Sequence, residues 1–115
     1  MNLQGTSKME LYTSKANLYD RMIQSAGKHY EKESKFIANI LHKSLKEKNP
    51  TVLDLGCGTG THAAKLIKRK FNVICSDVNK EMLAIAKKKT GTECMLIDMR
   101  HFSLRRKVDA IICLY

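Results

Sequence analysis

Apolar residues recur at helical spacing from Ser14 to about Ser25, as Ala16, Leu18, Tyr19, Met22 and Ile23, and Gly27 breaks the pattern. A stronger helical pattern runs from about Glu31 to Lys48. Its apolar stripe is Phe36, Ile37, Ile40, Leu41 and Leu45, with Glu31, Lys32, Glu33, Lys35, Lys43, Lys46 and Glu47 on the other face. Asn49-Pro50 ends it, because proline's ring and missing N–H cannot continue a helix. Residues 1–13 carry no such pattern and read as a lead-in.

Beyond Pro50 short apolar runs alternate with helical patterns. Thr51–Leu55 reads as a strand running into a glycine loop, and His62 to about Lys70 as a helix. Phe71–Ser76 is a second strand ending at Asp77, followed by a helix over Lys80–Lys89 that Thr90-Gly91 closes. Cys94–Ile97 ends at Asp98 as a third strand, and Val108–Leu114 is a fourth. Near-continuous apolar strands between helices predict an α/β fold, a parallel sheet with helices on both faces. The helical residues 1–50 and the β/α unit 51–115 together have the size of a single domain.

The link from Asp98 to Val108 has no convincing helix, which tests the topology. In the strand order 3-2-1-4 it must cross about 14 Å and return about 17 Å, roughly 22 Å in a straight line. Ten extended residues reach about 33 Å, so that order is sterically open.

Composition adds limits. An apolar share of 43% excludes a disordered or collagen-like chain. No apolar run approaches the roughly 18 residues of a membrane span. Residues 1–8 lack the apolar core of a signal peptide, so the expected location is the cytoplasm. Cys57, Cys75, Cys94 and Cys113 have no C-x-x-C spacing, and three of them sit in apolar runs. They read as small core residues, with neither disulfides nor a metal site expected. The net charge of +10 raises the question of an RNA partner. Its excess is dispersed, with runs at Lys68–Lys70, Lys87–Lys89 and Arg105–Lys107 where helices end or loops turn.

The segment Val52-Leu53-Asp54-Leu55-Gly56-Cys57-Gly58-Thr59-Gly60 carries the chemistry. Bare glycines between a strand and a helix let a ligand approach the backbone and the free helix N–H groups. A dinucleotide fingerprint starting at Gly56 requires Gly or Ala at 61, where this chain has Thr61. No Gly-Lys-Ser/Thr follows, which excludes a P-loop. Asp77 stands 17 residues after Gly60, at the end of the next strand, where a carboxylate can accept both hydroxyls of a ribose.

Asp54 to His62 resembles motif I of the class I S-adenosylmethionine-dependent methyltransferases. The resemblance extends through Val73–Leu83, Ile97–Arg100 and Asp109–Leu114. It implies a Rossmann-like sheet and S-adenosylmethionine as cofactor. It places Asp54, Gly56, Cys57, Gly58, Thr59 and Gly60 around the methionine portion, Asp77 on the ribose and Val78 against the adenine. Asp98 and Met99 fall at the adenine edge, and Leu114 and Tyr115 near the sulfonium. Tyr19 and Tyr30 resemble N-terminal positions that cover the cofactor, and Met82 joins the cofactor-binding set. No catalytic base is identified, Tyr115 being a candidate by position alone.

Each of these residues has a plainer reading. Asp77 can cap the following helix, Asp98 can be a solvated loop residue, and Met82, Tyr19 and Tyr30 can be core. The acceptor is expected to be a small molecule, with RNA as the alternative. A complete domain of this class has about seven strands, so the sheet is expected to be incomplete, with the fourth strand an unpaired edge open to a second copy or a partner chain. The competing functions are a non-catalytic binding module and, disfavoured by Thr61, a nicotinamide-dependent oxidoreductase.

Overall fold

The computed structural model describes residues 29–114; the helix expected over 14–25, Tyr19 and Tyr115 lie outside them. Helix α1 (Tyr30–Ser44) leads into β1 (Thr51–Leu55), α2 (Thr61–Lys68), β2 (Asn72–Asp77), α3 (Lys80–Thr90), β3 (Cys94–Leu96) and β4 (Ala110–Cys113). The four strands form one parallel sheet in the order β3-β2-β1-β4, as expected. No helix lies between β3 and β4. Ile97, expected within β3, continues its pairing by donating its N–H to Asp77 O.

Strand register sorts the side chains into two layers. Val52 is aligned with Val73 and Ala110, Asp54 with Cys75 and Ile112, and Cys75 with Cys94. These residues share one face, because side chains alternate along a strand. Val52, Val73 and Cys75 form the core there with Ala38 of α1, Ala63 and Leu66 of α2, and Ala86 of α3. The described helices thus cover this face. The opposite face carries Leu53 and Ile74, both buried, and Ile111, which is exposed.

Helix α1 departs from its expected outline in two ways. It ends at Ser44 rather than Lys48, with Leu45 already extended at its C-cap. Residues 45–49 instead form the turn into β1. Its buried seam is also rotated from the expected stripe. Phe36 and Ile40 are 66% and 47% exposed, whereas Ser34 and Ala38 are buried and Ile37 and Leu41 half-buried. Small residues let α1 approach α2 closely, and larger ones at 34 and 38 would hold the two apart.

The basic runs close α2, fill the last turn of α3 and lie in the β3–β4 link. Lys65 and Arg69 pair with Glu31 across the α1–α2 seam at 2.9 and 2.7 Å. All four cysteines are free; Cys75 is buried and Cys57 and Cys94 half-buried, but Cys113 is exposed at the edge of the sheet. Reading Cys113 as core fails because β4 is the outermost strand.

Candidate functional site

Three strands deliver the candidate residues to one end of the sheet. Asp54 and the glycine loop follow from β1, Asp77 and Val78 from β2, and Asp98 and Met99 from β3. In a parallel sheet the carboxyl ends of the strands align, and ligands of such sheets bind outside those ends where the strand order reverses, here between β1 and β4.

The loop's shape is set by glycine at two positions with different reasons. At Gly60 φ is +83°, and a Cβ would meet Ala86 Cβ at 3.0 Å and Ala86 Cα at 3.1 Å. Gly60 therefore seats the loop directly on α3. At Gly58 φ is +59° and a Cβ would meet nothing within 4 Å among the described residues. That side of the loop is open to a ligand.

Asp77 and β2 hold the loop from the other side. Gly58 N–H donates to Asp77 Oδ2 at 2.9 Å, and Cys57 N–H donates to Ser76 O at 2.8 Å. Asp77 Oδ1 accepts from Asn79 N–H at 2.9 Å. The cap of α3 is Asn79 rather than Asp77, since Asn79 Oδ1 accepts from the N–H groups of Glu81 and Met82. Asp77 is thereby left at the carboxyl end of β2, half-buried. Thr59 lies beneath the loop, where Lys89 Nζ reaches its hydroxyl at 3.2 Å and that of Thr61 at 2.9 Å.

Asp54 is the anomaly. It is 1% exposed, and neither carboxyl oxygen has a hydrogen-bond partner among the described residues. Burial first, then the Cys75 thiol and the Asp77 carboxylate, push its pKa up to about 8. The hydrogen bond with Cys75 and burial likewise raise the Cys57 thiol, so it stays protonated. Buried carboxyls normally find partners, and one without any is a place where a ligand is wanted.

The remaining candidates divide. Val78 and Met99 are 56% and 43% exposed, apolar side chains just beyond the carboxyl ends of β2 and β3. Met99 folds back until its Cε lies 3.4 Å from where a Cβ on Gly56 would be. Asp98 is gripped by Arg100, Oδ2 to NH2 at 2.6 Å and Oδ1 to Nε at 3.0 Å, which holds its pKa down to about 2. Met82 is buried in α3. Leu114 follows the edge strand, half-buried. Tyr30 stands edge-on to the His62 ring with centroids 4.8 Å apart, and His62 Nε2 lies 2.9 Å from Glu33 Oε1.

His62, Glu33, Lys89 and Asn79 were not singled out from sequence. The signal for Asn79 was available: a short polar residue just before an apolar helix is a cap. His62 and Glu33 are 29 residues apart, and no local pattern joins them.

Residues 52–115 match the family described as a methyltransferase domain. The chain belongs to that methyltransferase-domain family.

Among relatives of the family, a dTDP-3-amino-3,6-dideoxy-alpha-D-glucopyranose N,N-dimethyltransferase from Streptomyces fradiae is 34% identical over 101 residues, covering 87% of this chain and 39% of that protein. A dTDP-3-amino-3,4,6-trideoxy-alpha-D-glucopyranose N,N-dimethyltransferase from Streptomyces venezuelae is 31% identical, covering 87% and 42%. An amino pentose methyltransferase from Micromonospora echinaspora, solved with S-adenosylmethionine bound, superimposes with a TM-score of 0.78 at 29% identity, covering 85% of this chain and 42% of that one. The chain spans about two-fifths of the length of the curated relatives it matches. The methyltransferase domains among its structural neighbours share its Rossmann-like parallel sheet. Among the described residues no helix is long and apolar enough to cross a membrane.

Proposed function

We propose that this chain supplies the S-adenosylmethionine-binding part of a methyltransferase acting on a small molecule. The observation that carries the reading is the buried Asp54 carboxyl, without a partner among the described residues, on the strand that runs into the loop of Gly58. That combination suits a ligand with a cationic amino-acid end. Gly58 gives it backbone access, Asp54 gives it a counter-charge, and Gly56, Cys57, Thr59 and Gly60 shape the turn between them. Asp77 keeps lone pairs for a ribose beyond those used by Gly58 and Asn79. Val78 and Met99 offer apolar faces for a flat base, with Asp98 at its edge. Met82 supports α3 from within rather than touching the ligand. Tyr30, with His62, borders α1 where it meets the start of α2, and Tyr19 and Tyr115 are kept as cofactor contacts on the resemblance alone.

Bound cofactor supplies a methyl group already activated on a sulfonium. The protein's share is positioning and exclusion of water rather than acid–base chemistry. An amino-sugar acceptor is supported by the names of the relatives, all of which extend well beyond the length of this chain. β4 is paired on one flank only among the described residues, which favours pairing of its other edge with a partner. Four free thiols suit a reducing compartment, the cytoplasm.

Calorimetry tests the cofactor. S-adenosylmethionine and S-adenosylhomocysteine are expected to bind and NAD not to bind. Binding of NAD alone overturns the reading.

A further inference from the structure

Three thiols meet on the helix-covered face of the sheet. Cys75 of β2 belongs to the buried core there, and Cys57 of the glycine loop and Cys94 of β3 pack against it. Cys75 and Cys94 are aligned partners in the parallel β2–β3 ladder, so their side chains leave the sheet on the same face. Neighbouring strands lie about 4.8 Å apart, and a disulfide takes Cα atoms about 4.4–6.8 Å apart. The ladder thus holds this pair within disulfide reach without any movement of the backbone. Cys57 stands in the loop beyond β1 with its thiol donating to Gly58 O at 3.3 Å, and Cys113 is exposed on β4 at the other edge.

The two aligned sulfurs differ in access. Among the described residues β3 is an edge strand, and Cys94 is half-buried on it, whereas Cys75 is fully buried. They differ also in charge. Burial is the main cause that pushes the Cys94 thiol up to about 11. Cys75 is held below the usual thiol range by the Cys57 thiol first, then by the Thr90 hydroxyl, the Cys94 thiol and the Lys87 ammonium. One sulfur can be reached from solvent, and its buried neighbour is the better place for a negative charge.

We propose that Cys75 and Cys94 are a reversible redox pair, oxidised by hydrogen peroxide to a disulfide that staples β3 to β2. Cys94 Sγ attacks the peroxide and an S–O bond forms. The O–O bond breaks, its electron pair leaving on hydroxide, which buffer protonates. The Cys94 thiol proton passes to the Cys75 thiolate. Cys75 Sγ then displaces hydroxide from the Cys94 sulfenic acid, forming S–S and breaking S–O, and its proton leaves with that hydroxide as water. Counted from two thiols, one peroxide gives one disulfide and two waters, with two electrons passing from sulfur to oxygen. A dithiol reductant returns both thiols by exchange.

Peroxide treatment of the wild-type chain at pH 7, followed by alkylation and tryptic digestion, reads the bridge. Trypsin separates the two cysteines into residues 71–80 and residues 90–100. A cross-linked pair of these peptides is expected, about 2 Da lighter than their sum and parted by dithiothreitol. Cys113→Ser should leave that pair unchanged. In Cys75→Ala the second sulfur is gone, so dimedone, which traps sulfenic acids, should label Cys94.

A bridge from Cys75 to Cys57 in place of Cys94 overturns the proposal. So does a wild-type Cys94 that stays reduced or passes to sulfinic acid unbridged, and so does a Cys94 that dimedone leaves unlabelled in Cys75→Ala. Cross-linking seen only in guanidinium chloride would show that the fold keeps the sulfurs apart, and would overturn it as well.

Discussion

Gly58 N–H and Asp77 Oδ2 are 2.9 Å apart, joining the middle of the glycine loop to the acidic end of β2. The same carboxylate therefore shapes the loop and stands where the ribose is proposed to bind. Removing it loosens both at once.

Asp77→Ala is expected to weaken S-adenosylmethionine binding by tenfold or more, about 1–3 kcal/mol for lost charge-assisted bonds. Calorimetry on the two proteins checks this. An unchanged Kd would separate Asp77 from the ligand.

Gly60 and Gly58 should respond differently to alanine. Gly60→Ala combines a left-handed backbone with a Cβ pressed to 3.0 Å from Ala86, so it should lower Tm by at least about 5 °C. Gly58→Ala meets open space and carries only the left-handed penalty of about 1–2 kcal/mol. Its larger effect should be on ligand affinity, because the new methyl stands where the ligand approaches. Calorimetric melting and binding titrations on both variants distinguish the two.

Asn79→Ala removes the side-chain acceptor for Glu81 and Met82 N–H and should cost about 1 kcal/mol of stability. Urea unfolding measures it, and Asn79→Asp should retain most of the cap.

The pH dependence of stability follows from Asp54. Its pKa rises from 3.8 in the unfolded chain to about 8 in the fold, so protons are bound more tightly by the folded state. Stability from this group is complete below pH 4 and is lost as pH climbs towards 8. Asp54→Asn cannot ionise, so it should melt above wild type at pH 8 and show a shallower fall in Tm between pH 6 and pH 8. An Asp54→Asn melting curve that tracks wild type across that range would contradict the assignment.

Much of this fold could be read before any coordinates. β1 matches its expected bounds, α3 extends only one residue past them, and the observed order 3-2-1-4 is one that the Asp98–Val108 link can span. The element bounds are local, and chain reach leaves the order open without selecting it. The seam of α1 was harder, because apolarity marks Phe36 and Ile40 while close approach to α2 selects Ser34 and Ala38. Which of two faces packs is decided by the neighbouring helix, not by the helix itself.

The candidate site shows the same division. The glycine string and the acidic ends of the strands are sequence patterns. That Asp54 would lack any partner among the described residues is not, because it depends on side chains kept apart by the fold. The Asp98–Arg100 pair, two residues apart, is a local contact that the order Asp98-Met99-Arg100 already offered. Met82 illustrates the reverse case, a residue inside the family's motif whose position on α3 turns it into the core.

The location of the ligand is the claim on which the rest stands. Backbone amide shifts of the labelled chain, recorded during titration with S-adenosylhomocysteine, test it residue by residue. The largest changes should fall at residues 54–60, at Asp77 and Val78, and at Asp98 and Met99. Saturable changes confined to the exposed Phe36 and Ile40 face of α1, with the glycine loop unmoved, would contradict it.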